Sequence, residues 1–103
     1  MQWLRDEGYQ PQNVANKDKG WDIECEDEVF EAKGRKSPKT VVRLTENEWR
    51  AANRLGKQFT LLIFTAPDDE RLRVTLPQQF PDPAKTESWT MRERIIPEYF
   101  LDQ

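Results

Sequence analysis

Two carboxylates and a lysine stand at strand-like spacing near the start of the chain. The run Gly20–Glu26 alternates polar and apolar side chains, and Asp22 falls on its polar face. The run Val29–Gly34 alternates in the same way, with Glu31 and Lys33 sharing a face. Residues directly opposite each other in an antiparallel hairpin project to the same side, so any even loop length puts the three side chains on one face. The pattern predicts a divalent-metal site with a charged helper.

The residues Asp27 and Glu28 lie between the two runs and are the predicted loop tip. A two-residue loop would set Asp22 opposite Lys33, whereas a four-residue loop would set Asp22 opposite Glu31. The competing interpretation is an ordinary surface hairpin with a cross-strand pair of aspartate and lysine, which contributes at most about 1 kcal/mol.

Composition narrows the chemistry further. The 103 residues, 36% hydrophobic and 34% charged, indicate one soluble domain, and no apolar run approaches the roughly 20 residues of a membrane span. The chain contains no histidine, which excludes Cys/His zinc sites and serine–histidine triads and leaves carboxylates and lysine. The lone Cys25 favours a reducing compartment, so we expect a cytoplasmic protein.

The net charge of −3 conceals a strong asymmetry along the chain. Residues 1–32 carry three positive and nine negative side chains, whereas residues 33–57 carry eight positive and two negative ones. An acidic site bordered by a basic segment fits a metal pocket beside a phosphate-binding surface, although a salt-bridged surface would give the same count. The basic side chains expected to contact phosphates without reading sequence, or else to form a solvated loop, are Arg35, Lys36, Lys39 and Arg43.

The remaining elements follow from pattern and end signals. Thr45 and Glu48 form a capping box that begins a helix, which Gly56 ends. The apolar, β-prone run Phe59–Ala66 predicts a central strand covered on both faces. The other expected elements are a helix over Met1–Glu7 that stops at Gly8, a third strand over Val41–Leu44, and a strand over Leu72–Leu76.

Packing is the predicted role of three aromatic side chains and one cysteine. Trp21 and Cys25 alternate away from the acidic face of the hairpin and should be core. Trp89 and Tyr99 could stack on bases, but packing is the favoured interpretation. The segment from Trp89 to Tyr99 is either a strand or a short helix ended by Pro97.

Three blocks of this sequence resemble known nucleases. Asp22 with Glu31-Ala32-Lys33 resembles the Asp…Glu-x-Lys core of the PD-(D/E)xK nuclease superfamily. The closer resemblance is to the C-terminal domain named after the plant protein NO VEIN, which also occurs in bacterial defence and helicase-associated proteins. The similarity covers Leu4 to Ala66, and it departs mildly where Ala32 replaces the usual Val and Trp21 the usual Tyr. The three blocks that carry it are Gly20-Trp21-Asp22-Ile23-Glu24, Glu31-Ala32-Lys33-Gly34 and Leu44-Thr45-Glu46-Asn47-Glu48-Trp49.

The resemblance implies a restriction-endonuclease-like αβββαβ core, an α/β fold with a mixed central sheet flanked by helices. It implies Mg²⁺ or Mn²⁺ held by Asp22 and Glu31, with the backbone carbonyl of Ala32 as a third ligand and Glu7 as an extra carboxylate from the first helix. Lys33 would place the attacking water and offset charge on the phosphate in the transition state.

The same resemblance gives the helix start a second role beside capping, in which Glu46, Asn47 or Trp49 lines the pocket. We expect a single domain over residues 1–103, with a core of about 1–76 and a C-terminal extension over 77–103, excised from a larger protein.

The leading hypothesis is a metal-dependent nuclease domain that hydrolyses phosphodiester bonds in DNA, in preference to RNA, within a restriction or anti-phage defence protein. One alternative is a catalytically inactive module of the same fold that binds DNA or a protein partner. Another is a structural domain that orients a neighbouring helicase or methyltransferase. A double-strand cutter with one site per chain would also need a dimer or a partner.

Overall fold

The computed structural model describes residues 2–6, 8, 10–14, 19–66, 76–93 and 95–102, which form a mixed α/β fold. The predicted α/β class with a mixed central sheet is therefore confirmed. The helices in this part of the chain are α1 (Gln2–Asp6), α2 (Glu46–Leu55) and α3 (Pro83–Thr86). The strands are β1 (Gln12–Asn13), β2 (Ile23–Cys25), β3 (Glu28–Arg35), β4 (Arg43–Thr45), β5 (Phe59–Thr65), β6 (Gln78–Pro81), β7 (Trp89–Arg92) and β8 (Glu98–Leu101).

The central sheet has the strand order β1-β2-β3-β5-β6. Strands β3 and β5 are parallel, and the other neighbours are antiparallel. Strand β5 has a partner on each edge, as its continuous apolar run predicted, and Leu61, Leu62 and Ile63 are each 1% exposed or less. The parallel β3–β5 pair requires a crossover, which α2 supplies.

Each face of the central sheet packs against a helix. On one face, Ile23, Phe30 and Leu62 form a cluster with Leu4 of α1. On the other, Val29 and Phe59 pack against the alanines of α2, Ala51 and Ala52. The side chains at alternate positions of β3 therefore divide between the α1 layer and the α2 layer.

The third strand pairs differently from the prediction. It spans Arg43–Thr45 and lies in a second sheet of order β4-β8-β7 instead of the central sheet. Its hydrogen-bonding partner, β8, comes from the C-terminal residues, and Leu101 joins Val42, Leu44 and Leu61 in one buried cluster. Residues 78–101 thus supply β6 to the central sheet and two strands to the second one. The described residues of the segment from Trp89 to Tyr99 form strand β7 and the start of β8, which is the strand alternative of the prediction.

Helix α2 begins and ends where its sequence signals predicted. The Thr45 hydroxyl accepts from the Glu48 backbone N–H, and the Glu48 carboxylate accepts from the Thr45 N–H, which completes the capping box. At the other end Gly56 adopts φ 55° and its N–H donates to Ala52 O. Capping therefore fixes the position of Glu48 relative to the end of β4.

The β2–β3 hairpin turns one residue earlier than expected. Glu26 takes φ 55°, and the turn is Glu26–Asp27, so that Glu28 pairs with Cys25. The resulting register pairs Ile23 with Phe30, and one step further along it sets Asp22 level with Glu31. This is the arrangement that the prediction had assigned to a longer loop.

The prediction that Trp21 belongs to the face away from the carboxylates is wrong. Strand β2 begins only at Ile23, so the alternation does not extend back to Trp21. Its half-buried ring packs against the cluster of Val29 and Phe59, and its indole N–H donates to Glu24 Oε1 at 3.0 Å. Cys25 is buried in the α1 layer as predicted.

Gly20 places the chain directly against α2, and its replacement by alanine is expected to destabilise the fold. Its φ is +96°, and a Cβ there would lie 2.8 Å from Asn47 O and 2.9 Å from the Ala51 Cβ. We expect Gly20→Ala to lower the free energy of unfolding by about 2–4 kcal/mol, measured by urea denaturation. Gly8→Ala is the matched control, because Gly8 has φ +92° and an added Cβ would have nothing within 4 Å. This variant should be destabilised only by the strain of a positive φ, without a steric clash. Equal losses in the two variants would contradict the close contact with α2.

Two predictions from the sequence remain, one about a strand after β5 and one about membrane spans. The strand expected over Leu72–Leu76 lies outside the described residues except for Leu76, which is exposed and belongs to no strand. None of the helices described has the length and apolar character needed to cross a membrane.

Candidate active site

Strand β3 directs Glu31 and Lys33 toward the α2 layer. The two residues alternate with Phe30 and Ala32, which belong to the opposite side of the strand. Glu31 is only 2% exposed, and its Oε2 lies 3.3 Å from the Lys33 Nζ. A carboxylate this deeply buried is unusual unless it is paired or binds a cation.

Asp22 lies at the open end of the hairpin beside these two residues. Its backbone N–H donates to Phe30 O at 3.0 Å, and its Oδ2 accepts from the Ala32 N–H at 3.2 Å. The Asp22 carboxylate thus accepts the Ala32 N–H where no strand partner is paired, because β2 begins only at Ile23. Its charge acts on Glu31, whose pKa it helps to raise. The hairpin thus brings Asp22, Glu31 and Lys33 together.

Glu48 is a further member of this cluster that the sequence reading treated only as a helix cap. Its Oε1 lies 2.9 Å from Lys33 Nζ and accepts from the Thr45 N–H, also at 2.9 Å. The Glu48 carboxylate therefore both caps the start of α2 and fixes the position of the Lys33 ammonium. The Leu-Thr-Glu-Asn-Glu-Trp block was the sequence signal for a site residue on α2. The residues of this block predicted to line the pocket were Glu46, Asn47 and Trp49, and Glu48 was not among them. The Glu46 carboxylate turns away to Arg50 and the Tyr99 hydroxyl.

The cluster shifts the pKa values of the buried Glu31 and of the half-buried Lys33 and Glu48. Burial raises the pKa of the Glu31 carboxyl most, the neighbouring Glu48 and Asp22 raise it further, and Lys33 lowers it only in part, so that it reaches about 9. Burial alone would lower the pKa of Lys33, but its contacts with Glu48 and Glu31 outweigh burial and raise it. Burial likewise opposes ionisation of Glu48, whose hydrogen bonds with Glu31, the Thr45 N–H and Lys33 nevertheless lower its pKa. The protein alone thus favours a neutral Glu31 beside an ionised pair of Lys33 and Glu48.

The fit of a divalent cation can be judged from Glu31. Its Oε1 is buried and receives no hydrogen bond from the described residues, and in the metal-free protein the carboxyl proton of Glu31 is what bonds this residue to Glu48. An unpaired, buried carboxylate oxygen next to a second carboxylate matches a hard cation, which would supply the missing charge. Within the described ranges no three Asp, Glu, Cys or His side chains come together as a metal-binding group. Glu7 lies outside the described residues, so two carboxylates, a main-chain oxygen and water remain as donors, which suits Mg²⁺.

The four basic residues expected at the phosphate do not share one environment. Arg35 is buried, and its guanidinium donates to Thr65 Oγ1 at 2.8 Å, to Gln78 Oε1 at 3.1 Å and to Thr40 O at 3.4 Å. It ties β3 to β5, β6 and the following loop, and its guanidinium is thereby committed to protein acceptors. Lys36 and Lys39 are exposed, and Arg43 is exposed but paired with Glu98.

Comparison with known proteins identifies the family. A family model described as "Protein NO VEIN, C-terminal" matches residues 1–75. The match covers most of the chain and contains Asp22, Glu31, Lys33 and Glu48, so the chain belongs to this family. No curated protein and no solved structure matches the chain.

Proposed function

We propose that this chain is a metal-dependent nuclease domain with a restriction-endonuclease-like core of the PD-(D/E)xK type. The observation that carries the proposal is the buried Glu31 carboxylate with an unpaired Oε1, held beside Asp22 and Lys33 on one hairpin. A purely structural hairpin gains nothing from burying a carboxyl group whose pKa is raised to about 9. Such strongly perturbed groups cluster at functional sites because catalysis requires them there.

Asp22 and Glu31 are the residues that would hold Mg²⁺ or Mn²⁺, together with the Ala32 carbonyl. The cation, when bound, supplies Lewis-acid stabilisation of the phosphate oxygens and a more acidic water. The Ala32 N–H fixes the Asp22 carboxylate through Oδ2 and leaves its other oxygen for coordination. The α2 layer excludes bulk water from Glu31, which strengthens every charge interaction at that carboxylate.

Lys33 is the electrophilic residue of the proposed mechanism. Its raised pKa keeps the ammonium charged at neutral pH, with Glu48 holding it in place. A water oxygen forms the new bond to phosphorus while the bond to the leaving oxygen breaks. The water proton passes to solvent, and the leaving oxygen takes one from solvent. The ammonium offsets the charge that accumulates on the phosphate during this displacement.

The substrate we propose is DNA, with RNA as the less favoured class. Lys36 and Lys39, on the loop that follows β3, are exposed and are the remaining candidates for non-specific phosphate contacts, with Arg43 at the start of β4. Arg35 is no longer a candidate for phosphate contact, because its guanidinium donates hydrogen bonds to Thr65 of β5 and Gln78 of β6. A role as one module of a restriction or anti-phage defence protein, with helicase or methyltransferase neighbours or a dimeric partner, completes the proposal.

The proposal predicts metal-dependent cleavage that requires both Asp22 and Lys33. Wild type, Asp22→Ala and Lys33→Ala would be incubated with plasmid, linear duplex, single-stranded DNA and RNA in the presence of Mg²⁺, Mn²⁺ or EDTA. We expect cleavage by wild type only with metal, and a loss of at least about 100-fold in each variant. Lys36→Ala, on the exposed loop, is the control and should retain turnover with weaker binding. Cleavage that survives in Asp22→Ala would contradict the proposed site, and no cleavage with any substrate would favour the binding module.

A further inference from the structure

The outer face of the second sheet carries an aromatic side chain between cations. Arg43 of β4, Phe100 of β8 and Thr90 of β7 are directly paired in register, so they form one row across the sheet. The next row on the same face ends at Arg92, whose guanidinium carbon lies 4.8 Å from the centre of the Phe100 ring. Phe100 is half-buried, so that part of its ring is accessible.

The aromatic residues of this sheet that the sequence singled out lie on its inner face. Tyr99 stacks on Trp49 of α2 with ring centroids 4.5 Å apart, and Trp89 meets the same ring edge-on at 5.4 Å. Their packing interpretation is therefore confirmed. Phe100 is the aromatic residue of β8 that the alternation of the strand directs outward.

Two open grooves meet at Phe100 and Val41. One, of about 360 Å³, is lined by Lys33 and Gly34 of β3 together with Arg43. The other, of about 420 Å³, is lined by residues of β7 and β8, among them Arg92, and by Asp102, which follows β8. Both grooves are lined by Phe100 and Val41, so they adjoin there, and together they give a path whose lining runs from Arg92 on the outer sheet face to Lys33 of β3.

Cationic side chains and a half-buried aromatic ring lie together along the two grooves. Lys33, Arg43 and Arg92 supply three cationic groups. The two carboxylate oxygens of Asp102 accept from the hydroxyls of Ser88 and Thr90, at 2.9 and 2.6 Å. Glu98, on the same face, pairs with Arg43. Cations beside an aromatic ring match phosphates joined to bases, and only an unpaired base offers its flat face for stacking.

We infer that this path, which we name the Phe100 groove, binds a single nucleic-acid strand and leads it to Lys33. A base stacks on Phe100, and Arg43 and Arg92 contact the adjoining phosphates. This inference rests on the proposed function, because it names the form of substrate that reaches the site. The single-stranded segment is one that is already unpaired or is frayed from a duplex end.

The test measures binding in EDTA, where the metal-dependent cleavage cannot occur. Fluorescence anisotropy would compare a labelled single-stranded oligothymidylate with a duplex of equal length, for wild type, Phe100→Leu and Arg92→Gln. We expect wild type to prefer the single strand and Phe100→Leu, which keeps apolar bulk, to weaken it roughly 5- to 100-fold. Arg92→Gln, at an exposed position, should weaken binding and reduce its salt dependence by about one phosphate contact.

The control variant is Lys85→Gln on α3, which changes the same charge and lines neither groove. Circular dichroism establishes that each variant is folded. Equal binding by Phe100→Leu and wild type, or binding lost equally in Lys85→Gln, would overturn the inference, as would tighter binding of the duplex. Since binding and cleavage are measured separately, failure of cleavage alone bears on the nuclease proposal and leaves the groove intact.

Discussion

Glu31→Gln is expected to make the metal-free protein more stable than wild type at pH 8. The unfolded chain releases the Glu31 proton near its ordinary value of 4.5, whereas burial and the neighbouring Glu48 raise the pKa in the folded state to about 9. Between these values the folded state binds one proton more than the unfolded state, so wild-type stability falls as pH rises through this window. Glutamine has no such proton to lose, and it retains an N–H that can donate to Glu48.

The size of this effect should grow with pH. At pH 4 the two proteins should unfold alike, and at pH 8 the variant should be more stable by on the order of a few kcal/mol. Urea denaturation in EDTA at pH 4, 6 and 8 gives the comparison. Glu26→Gln makes the same chemical change at an exposed turn position and should leave the pH dependence unaltered. A Glu31→Gln variant no more stable than wild type at pH 8 would mean that Glu31 ionises freely.

The same substitution should abolish metal-dependent activity. Glutamine lacks the charge that a hard cation requires, so added Mn²⁺ should stabilise the wild type and leave Glu31→Gln unchanged. A gain in stability combined with a loss of function is typical of residues retained for catalysis at a cost in stability.

Glu48→Ala should reduce turnover much more than Thr45→Ala does. Both substitutions break the capping box and each should cost about 1 kcal/mol of stability. Only Glu48→Ala also removes the shorter carboxylate contact of the Lys33 ammonium, at 2.9 Å, and leaves Lys33 with Glu31 alone. Because small displacements of a catalytic group have large effects, we expect kcat to fall about 10- to 100-fold in Glu48→Ala and to change little in Thr45→Ala.

The conservative variant separates hydrogen bonding from charge. Glutamine at position 48 can still accept from Lys33 and from the Thr45 N–H, so Glu48→Gln should recover part of the lost kcat. Steady-state kinetics of the three variants, beside their unfolding curves, give the comparison. Equal losses of kcat in Glu48→Ala and Thr45→Ala would assign Glu48 to capping alone.

The sequence predicted those elements whose signals are local. The alternation of β2 and β3, the apolar run of β5, and the capping box and Gly56 stop of α2 each depend on neighbouring residues, and the structure has them at nearly the expected positions. The grouping of Asp22 with Glu31 and Lys33 followed from alternation alone, because an even loop preserves the face whatever its length.

The features that sequence missed depend on contacts between distant segments. The pairing of β4 with β8 joins residues more than fifty positions apart, and no local pattern names that partner. Arg35 belongs to a basic run, yet its burial is decided by Thr65 and Gln78 of β5 and β6. Trp21 left its expected face because β2 begins only at Ile23, two residues after it.

The capping-box spacing predicted one role of Glu48 and gave no indication of the second, its contact with Lys33. Its spacing from Thr45 identified the capping box, which the structure contains. The same carboxylate oxygen accepts from both the Thr45 N–H and Lys33, since the end of β4 brings the start of α2 beside β3. A residue with a sufficient local role can thus also belong to the site.

Calorimetric titration of Mn²⁺ into the purified chain tests the metal site most directly. Wild type, Asp22→Ala and Glu31→Gln would be titrated under the same conditions, with Glu26→Gln as the control. We expect saturable binding to wild type and to Glu26→Gln, and none to the two site variants, because each loses one of the two carboxylate ligands. Binding that persists unchanged in Asp22→Ala and Glu31→Gln, or that is absent from wild type, would contradict a metal centre on this hairpin.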